Sequence, residues 1–110
     1  MPRPRLNNRA NVKTLGDQNN PISTAQTITP GGSNSVYKIW GLGAFPLSII
    51  GNNISDGDEL TIIVLGTCQI IFGGQAFPFL TTVNGAATFK FIGLGDDGGG
   101  YVLTTSFPVV

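Results

Sequence analysis

From Val36 onward the chain alternates short apolar runs with punctuation rich in glycine, asparagine and aspartate, and no apolar stripe recurs at helical spacing. The runs are "VYKIW" (36–40), "FPLSII" (45–50), "LTIIVL" (60–65), "CQIIF" (68–72), "PFLTTV" (78–83), "ATFKFI" (87–92), "YVLTTS" (101–106) and a short "FPVV". β-branched and aromatic residues dominate them, which suits a pleated surface. "GNNISDGD", "LGT", "FGGQ" and "VNGA" read as turns between them, and Asn84-Gly85 is the strongest hairpin signal in the chain. The spacing predicts an all-β domain over residues 36–110, a small antiparallel β-sandwich or barrel.

"GLGDDGGG" (93–100) satisfies the letter of a G-x-G-x-x-G phosphate loop through Gly93, Gly95 and Gly98. A dinucleotide fingerprint needs a strand before it and a helix after it. "ATFKFI" supplies the strand, but "GGYVLTTSF" follows with another β-rich run and no helix start. The expected structure is a wide hairpin loop, in which glycine supplies positive φ and aspartate bonds the local backbone.

Charge is sparse, at 11% of residues, and it marks only the turns and edges. Glu59 to Lys90 encloses thirty residues without a charge, and Lys38 to Asp56 encloses seventeen. Inside these stretches the apolar residues fall on both faces. Leu60, Ile62 and Val64 oppose Ile63 and Leu65, while Cys68, Ile70 and Phe72 oppose Ile71. A monomeric antiparallel sheet normally keeps one solvated face. So short a body has little interior with which to cover two. Self-association is therefore expected, with Ile63, Leu65, Ile71 and Phe79 as candidate interface residues; three-fold symmetry is the favoured form, although the pattern argues for self-association and not for its order. The competing expectation is a compact sandwich whose two sheets cover each other.

Residues 1–35 read as an extended basic arm. Three prolines and five asparagines accompany scattered single hydrophobics in its first 23 residues, without period, although "STAQTIT" could form a short strand. Arg3, Arg5, Arg9 and Lys13 precede the first acid, Asp17. From Val36 to Val110 two bases face five acids, a net of 2 − 5 = −3. A basic arm thus precedes a mildly acidic body, and the four bases are the candidate partner-binding residues. Nucleic acid is the less favoured partner, because the arm interleaves no aromatic with its charges.

The chain has no His and a single Cys68, which excludes an internal disulfide, a Cys/His zinc site and the usual triads. Asp56, Asp58 and Glu59 in one turn and Asp96 and Asp97 in another offer oxygen ligands, but without the spacing of a calcium loop. Carboxylates in glycine-rich turns are also poorly held for catalysis. A non-enzymatic protein with no cofactor or metal is expected. No signal-peptide pattern and no run of membrane-spanning length is present, so no membrane partner is expected.

"ISDGDELTIIVLGTCQIIFGGQAFPFLTTVNGAATFKFIGLGDDGGGYVLTTS" (54–106) resembles the β-rich modules of bacteriophage surface proteins: tail fibres, tailspikes and small head-decoration proteins. The shared pattern is a "DG(x)xLTI" strand opening, a short "xTxxI" strand, "G…ATFxF" and a late "GGxWY/YxV" hairpin. Here that hairpin is Gly99-Gly100-Tyr101-Val102, with the aromatic pair reduced to Tyr101 alone. The resemblance covers about half the chain and rests on strand and turn spacing. It implies a homotrimeric virion protein, made in the host cytoplasm, that decorates or cements the capsid surface. Its arm would bind the major capsid protein. The alternative it leaves open is the receptor-binding tip of a tail fibre, with Trp40 and Tyr101 touching a glycan.

Overall fold

The computed structural model describes residues 12–31, 33–51, 54–73, 79–95 and 100–108. Seven strands make one sheet: β1 (Val12–Leu15), β2 (Gln26–Ile28), β3 (Asn34–Trp40), β4 (Gly43–Ile49), β5 (Glu59–Gly73), β6 (Phe79–Gly93) and β7 (Tyr101–Pro108). The all-β expectation holds, and the antiparallel one does not. Four of the six strand pairings are parallel: β1 with β3, β2 with β4, and both β3 and β4 with β5. Only β5–β6 and β6–β7 are antiparallel. The result is a curled half-barrel, not an antiparallel sandwich.

The register explains the discrepancy. Asn34 pairs with Glu59 and Gly43 with Cys68, so the offset is 59 − 34 = 25 and 68 − 43 = 25. One constant offset means that β3 and β4 are a single ribbon, bent at Gly41 and Leu42 and laid along β5. "LTIIVL" and "CQIIF" are likewise two halves of β5, and "PFLTTV" and "ATFKFI" two halves of β6. The glycines between them bend a strand without reversing it. Gly66 (φ 102°) stands opposite Gly85 (φ 100°) within the β5–β6 ladder, so Asn84-Gly85 is a crease and not a hairpin turn.

Face parity survives the crease. Leu60, Ile62 and Val64 before Gly66, and Cys68, Ile70 and Phe72 after it, are all buried on the same side. The ribbon therefore folds toward that side and closes around its own apolar row. Phe91 pairs with Leu60, and Phe72 lies 72 − 60 = 12 residues further along β5. On a straight strand that is about 40 Å. Across the fold, the Phe72 and Phe91 ring centroids are 5.7 Å apart.

Folding back also permits parallel pairing with short connections. Parallel neighbours usually need a crossover of about a dozen residues or more, because the chain must return to the starting end. Here each bent ribbon returns by itself. Residues 29–33 and 50–58 then suffice to start the next ribbon in the same direction. The first ribbon, β1 to β2, carries a net excess of three residues over its neighbour, since the offset falls from 36 − 12 = 24 to 47 − 26 = 21. The turn at Asp17–Asn20 takes up five, since Ile22 then bridges Gly41 at an offset of 41 − 22 = 19, and the stretch before β2 gives back two. Asp17 Oδ1 accepts from the backbone N–H of Asn19 and of Asn20, both at 2.8 Å.

The stretch expected to be an arm is thus paired into the sheet from Val12 onward, with β2 falling inside "STAQTIT". The wide loop expected at 93–100 does join antiparallel strands. Leu94 N–H donates to the Gly100 carbonyl at 2.8 Å, and Gly95 and Gly100 have φ of 82° and 87°. Gly98, Asp96 and Asp97 lie outside the described residues.

Candidate interaction surfaces

Strict alternation divides the sheet into a concave inner face and a convex outer one. The inner face is filled. Ile39, Leu47, Leu60, Ile62, Val64, Ile70 and Phe72 are wholly inaccessible. Phe72 stacks on Phe79 at 4.8 Å and meets Phe89 at 5.2 Å in a tilted geometry, which is favourable for aromatic pairs.

The outer face differs on the two sides of the crease. On the side of β2, β4, the end of β5 and the start of β6, register places Pro46 beside Ile71 and Ile71 beside Leu80. Ile71 is 48% exposed and Leu80 58%. The adjoining row is Ala44, Gln69 and Thr82, and no outward side chain here is charged. On the other side, Lys38, Ile63 and Thr88 form one row and Trp40, Leu65 and Ala86 the next. Ile63 and Leu65 are half-buried between such neighbours.

Ile63, Leu65 and Ile71 therefore all face outward. Phe79 does not, because its ring is packed against Phe72 on the inner side. Sequence reasoning missed Pro46 and Leu80, although the alternation of Leu80 and Thr82 with Thr81 and Val83 marked which side was which. Of the four bases, Arg3, Arg5 and Arg9 lie outside the described residues. Lys13 sits in β1 with Nζ 5.9 Å from the centroid of the Tyr37 ring, within reach of a weak cation–π attraction.

Titratable groups gather at the end of the half-barrel where β3 and β7 begin. Tyr101 is 1% exposed, and among the described residues its hydroxyl has no hydrogen-bond partner. Burial pushes its pKa up, and electrostatic interaction with Asp58 and Tyr37 pushes the same way. Asp58 Oδ2 accepts from the Ser55 N–H at 2.9 Å and is committed to holding its turn. Burial also raises the Cys68 thiol, which makes it a poor nucleophile. Among the described residues, no group of three or more potential metal ligands comes together.

The described residues line shallow depressions, of which two stand out. One of about 100 Å³ is lined by Lys13, Gly31, Asn34, Ser35 and Tyr37. One of about 280 Å³ lies on the outer face among Glu59, Thr61, Lys90, Ile92 and Thr104. Small-molecule sites usually enclose about 300–1,000 Å³. Ser35 Oγ is already donating to the Gly31 carbonyl at 2.8 Å. Neither depression converges polar groups on a reacting atom. The larger continuous feature is the apolar outer row. Compared with known proteins, the chain matches no family model, no curated protein and no solved structure.

Proposed function

We propose that the chain is a non-enzymatic structural protein of a phage virion, one that decorates or cements the capsid and works through its outer sheet face. The observation that carries this reading is the row Pro46, Ile71 and Leu80. Three apolar side chains lie abreast, exposed, on a half-sheet with no outward charge. Contiguous apolar surface of this kind marks a protein–protein contact. The inner face cannot serve, because the protein's own core fills it.

The resemblance of residues 54–106 to phage surface modules supplies the class of partner. The composition of the leading segment agrees with it. Arg3, Arg5 and Arg9 precede the sheet with no acid among them and suit the acidic surface of a neighbouring capsid subunit. The fibre-tip alternative has less support, since Tyr101 is buried and presents no ring face to a glycan, which leaves it Trp40, half-buried in the outer row.

The test is co-sedimentation with empty shells assembled from the capsid protein of the same virus. The wild-type chain pellets with shells. Leu80→Lys and a chain lacking residues 1–11, which spares β1, bind less. Equal binding by both variants, or none by the wild type, refutes the proposal.

A further inference from the structure

Where do the open edges of this sheet go? Four strand edges are unpaired among the described residues, and three carry devices that oppose further pairing. β1 has four residues with Lys13 on its inward side, and β2 has three residues between Pro21 and Pro30. β7 contains a register shift opposite Lys90/Phe91 and carries Pro108, which has no N–H to donate. Short strands, inward charges, bulges and prolines are how natural sheets blunt their edges.

The fourth edge is the first half of β6. The described part of β7 reaches as far as Ala87, so among the described residues nothing lies against the outer edge of 79–86; residues 109–110, which follow Pro108, lie outside them. Its sequence, "FLTTVNGA", has no proline and no charge, and its β-branched Thr81, Thr82 and Val83 suit a strand. An edge of this length and composition is a template for another strand.

The structure assigns that strand to a second copy of the same chain. We infer that two molecules pair antiparallel through the first half of β6, across a two-fold axis near Thr82, to make one continuous sheet. Charge decides the occupant. An isologous contact sets a residue against its own copy or near it, so any charge near the axis meets its own sign. The half-sheet around Thr82 has no outward charge to repel itself. A basic or acidic partner would find nothing there to pair with. Length fits too. The partner strand must stop short of Ala87, where β7 pairs with β6, and its own β6 offers the same span. With the axis at Thr82, Leu80 would face Asn84 of the second copy, so the two apolar rows would lie on either side of the axis on the same outer face. The inference goes beyond the proposed function and does not depend on it. It assigns two-fold order where the resemblance implies three-fold.

The test uses charge at the axis. The wild-type chain should sediment as a dimer of its 11.5 kDa subunit. Thr82→Lys and Thr82→Glu, both at an exposed outer position, should each weaken the dimer by up to about fivefold by placing like charges across the pair. Mixing the two variants should restore it, because opposite charges then face each other. Gln69→Lys, on the same face but inside the sheet, should leave the dimer intact. Restoration on mixing cannot arise from a variant that merely fails to fold. A wild type that assembles, with both Thr82 variants still assembling normally, overturns the edge and leaves the proposed function standing. A wild type that is monomeric at high concentration overturns the edge, and shell binding by that monomer would leave decoration standing alone.

Discussion

The carbonyl oxygen of Gly41 occupies the space that a Cβ on Gly66 would fill. The two glycines sit on neighbouring ribbons at the crease, joined there by the hydrogen bond from Gly41 N–H to the Leu65 carbonyl at 2.9 Å. Gly66 also holds φ of 102°, a region L-residues rarely adopt. Gly66→Ala should therefore lose twice, by about 1–2 kcal/mol for the backbone conformation and by a further clash that parts two ribbons. Gly85, its partner in the β5–β6 ladder, has φ of 100° but open space where a Cβ would go. Gly85→Ala should lose only the backbone part. Urea denaturation of both variants measures the difference. Equal losses would mean that the crease tolerates the crowding.

Phe72 stands at the centre of the fold-back. It touches Phe79 along the sheet, and Phe89 and Phe91 across it. Its side chain is inaccessible, while Phe79 is only partly buried at the start of β6. Phe72→Ala should cost about 3–5 kcal/mol through lost burial and the cavity left between the half-sheets. Phe79→Ala should cost distinctly less. Thermal unfolding of the two variants ranks them, and the opposite order would contradict this account of the core.

How much of this was legible beforehand depends on which residues are asked. The inner face was written in the alternation. Leu60, Ile62, Val64, Cys68, Ile70 and Phe72 keep one parity through Gly66, as Val83, Ala87, Phe89 and Phe91 do through Gly85. Unbroken parity is the mark of a single strand, yet Gly66-Thr67 and Asn84-Gly85 have the composition of turns. Positive-φ glycine serves a reversal and a crease equally well, and composition does not separate them. The parallel pairing was hidden for the same reason, since it follows from each ribbon returning on itself. β1 carried almost no signal, because three of its four residues are exposed. On the outer face Ile63, Leu65 and Ile71 could be read directly, whereas Pro46 required knowing that β4 lies beside the end of β5.

Alkaline stability should depend on Tyr101. Its folded-state pKa is raised above the ordinary value of 10.0, with burial the main cause. A raised acid binds its proton more tightly in the folded state. Its contribution is therefore fully present below about pH 10 and is lost as pH rises through the folded pKa. Cys68, raised from 9.0, adds a loss that begins at lower pH. Tyr101→Phe removes the first loss and keeps the second. At neutral pH it should be neutral or slightly stabilising, because the deleted hydroxyl has no partner among the described residues to abandon. Denaturant midpoints from pH 7 to 11 check both points. A variant that loses alkaline stability as steeply as the wild type above pH 10 would refute the assignment to Tyr101.

Ile70 and Ile71 are adjacent in β5 and should respond in opposite ways to the same substitution. Ile70 is 0% exposed on the inner face, and Ile71 is nearly half exposed on the outer one, between Pro46 and Leu80. Ile70→Lys would bury an ammonium group with no acid beside it, a cost of several kcal/mol that a chain of this size does not survive. Ile71→Lys puts the same charge into water and should move folding stability by no more than about 0.5 kcal/mol. Its effect should fall on binding instead, because a shell subunit seated on the apolar row would have to desolvate the new charge. Far-UV circular dichroism distinguishes the folded variant from the unfolded one, and shell co-sedimentation of Ile71→Lys gives the binding. If Ile71→Lys folds and binds as the wild type does, the row has no part in docking, and the outer face loses its claim to be the working surface.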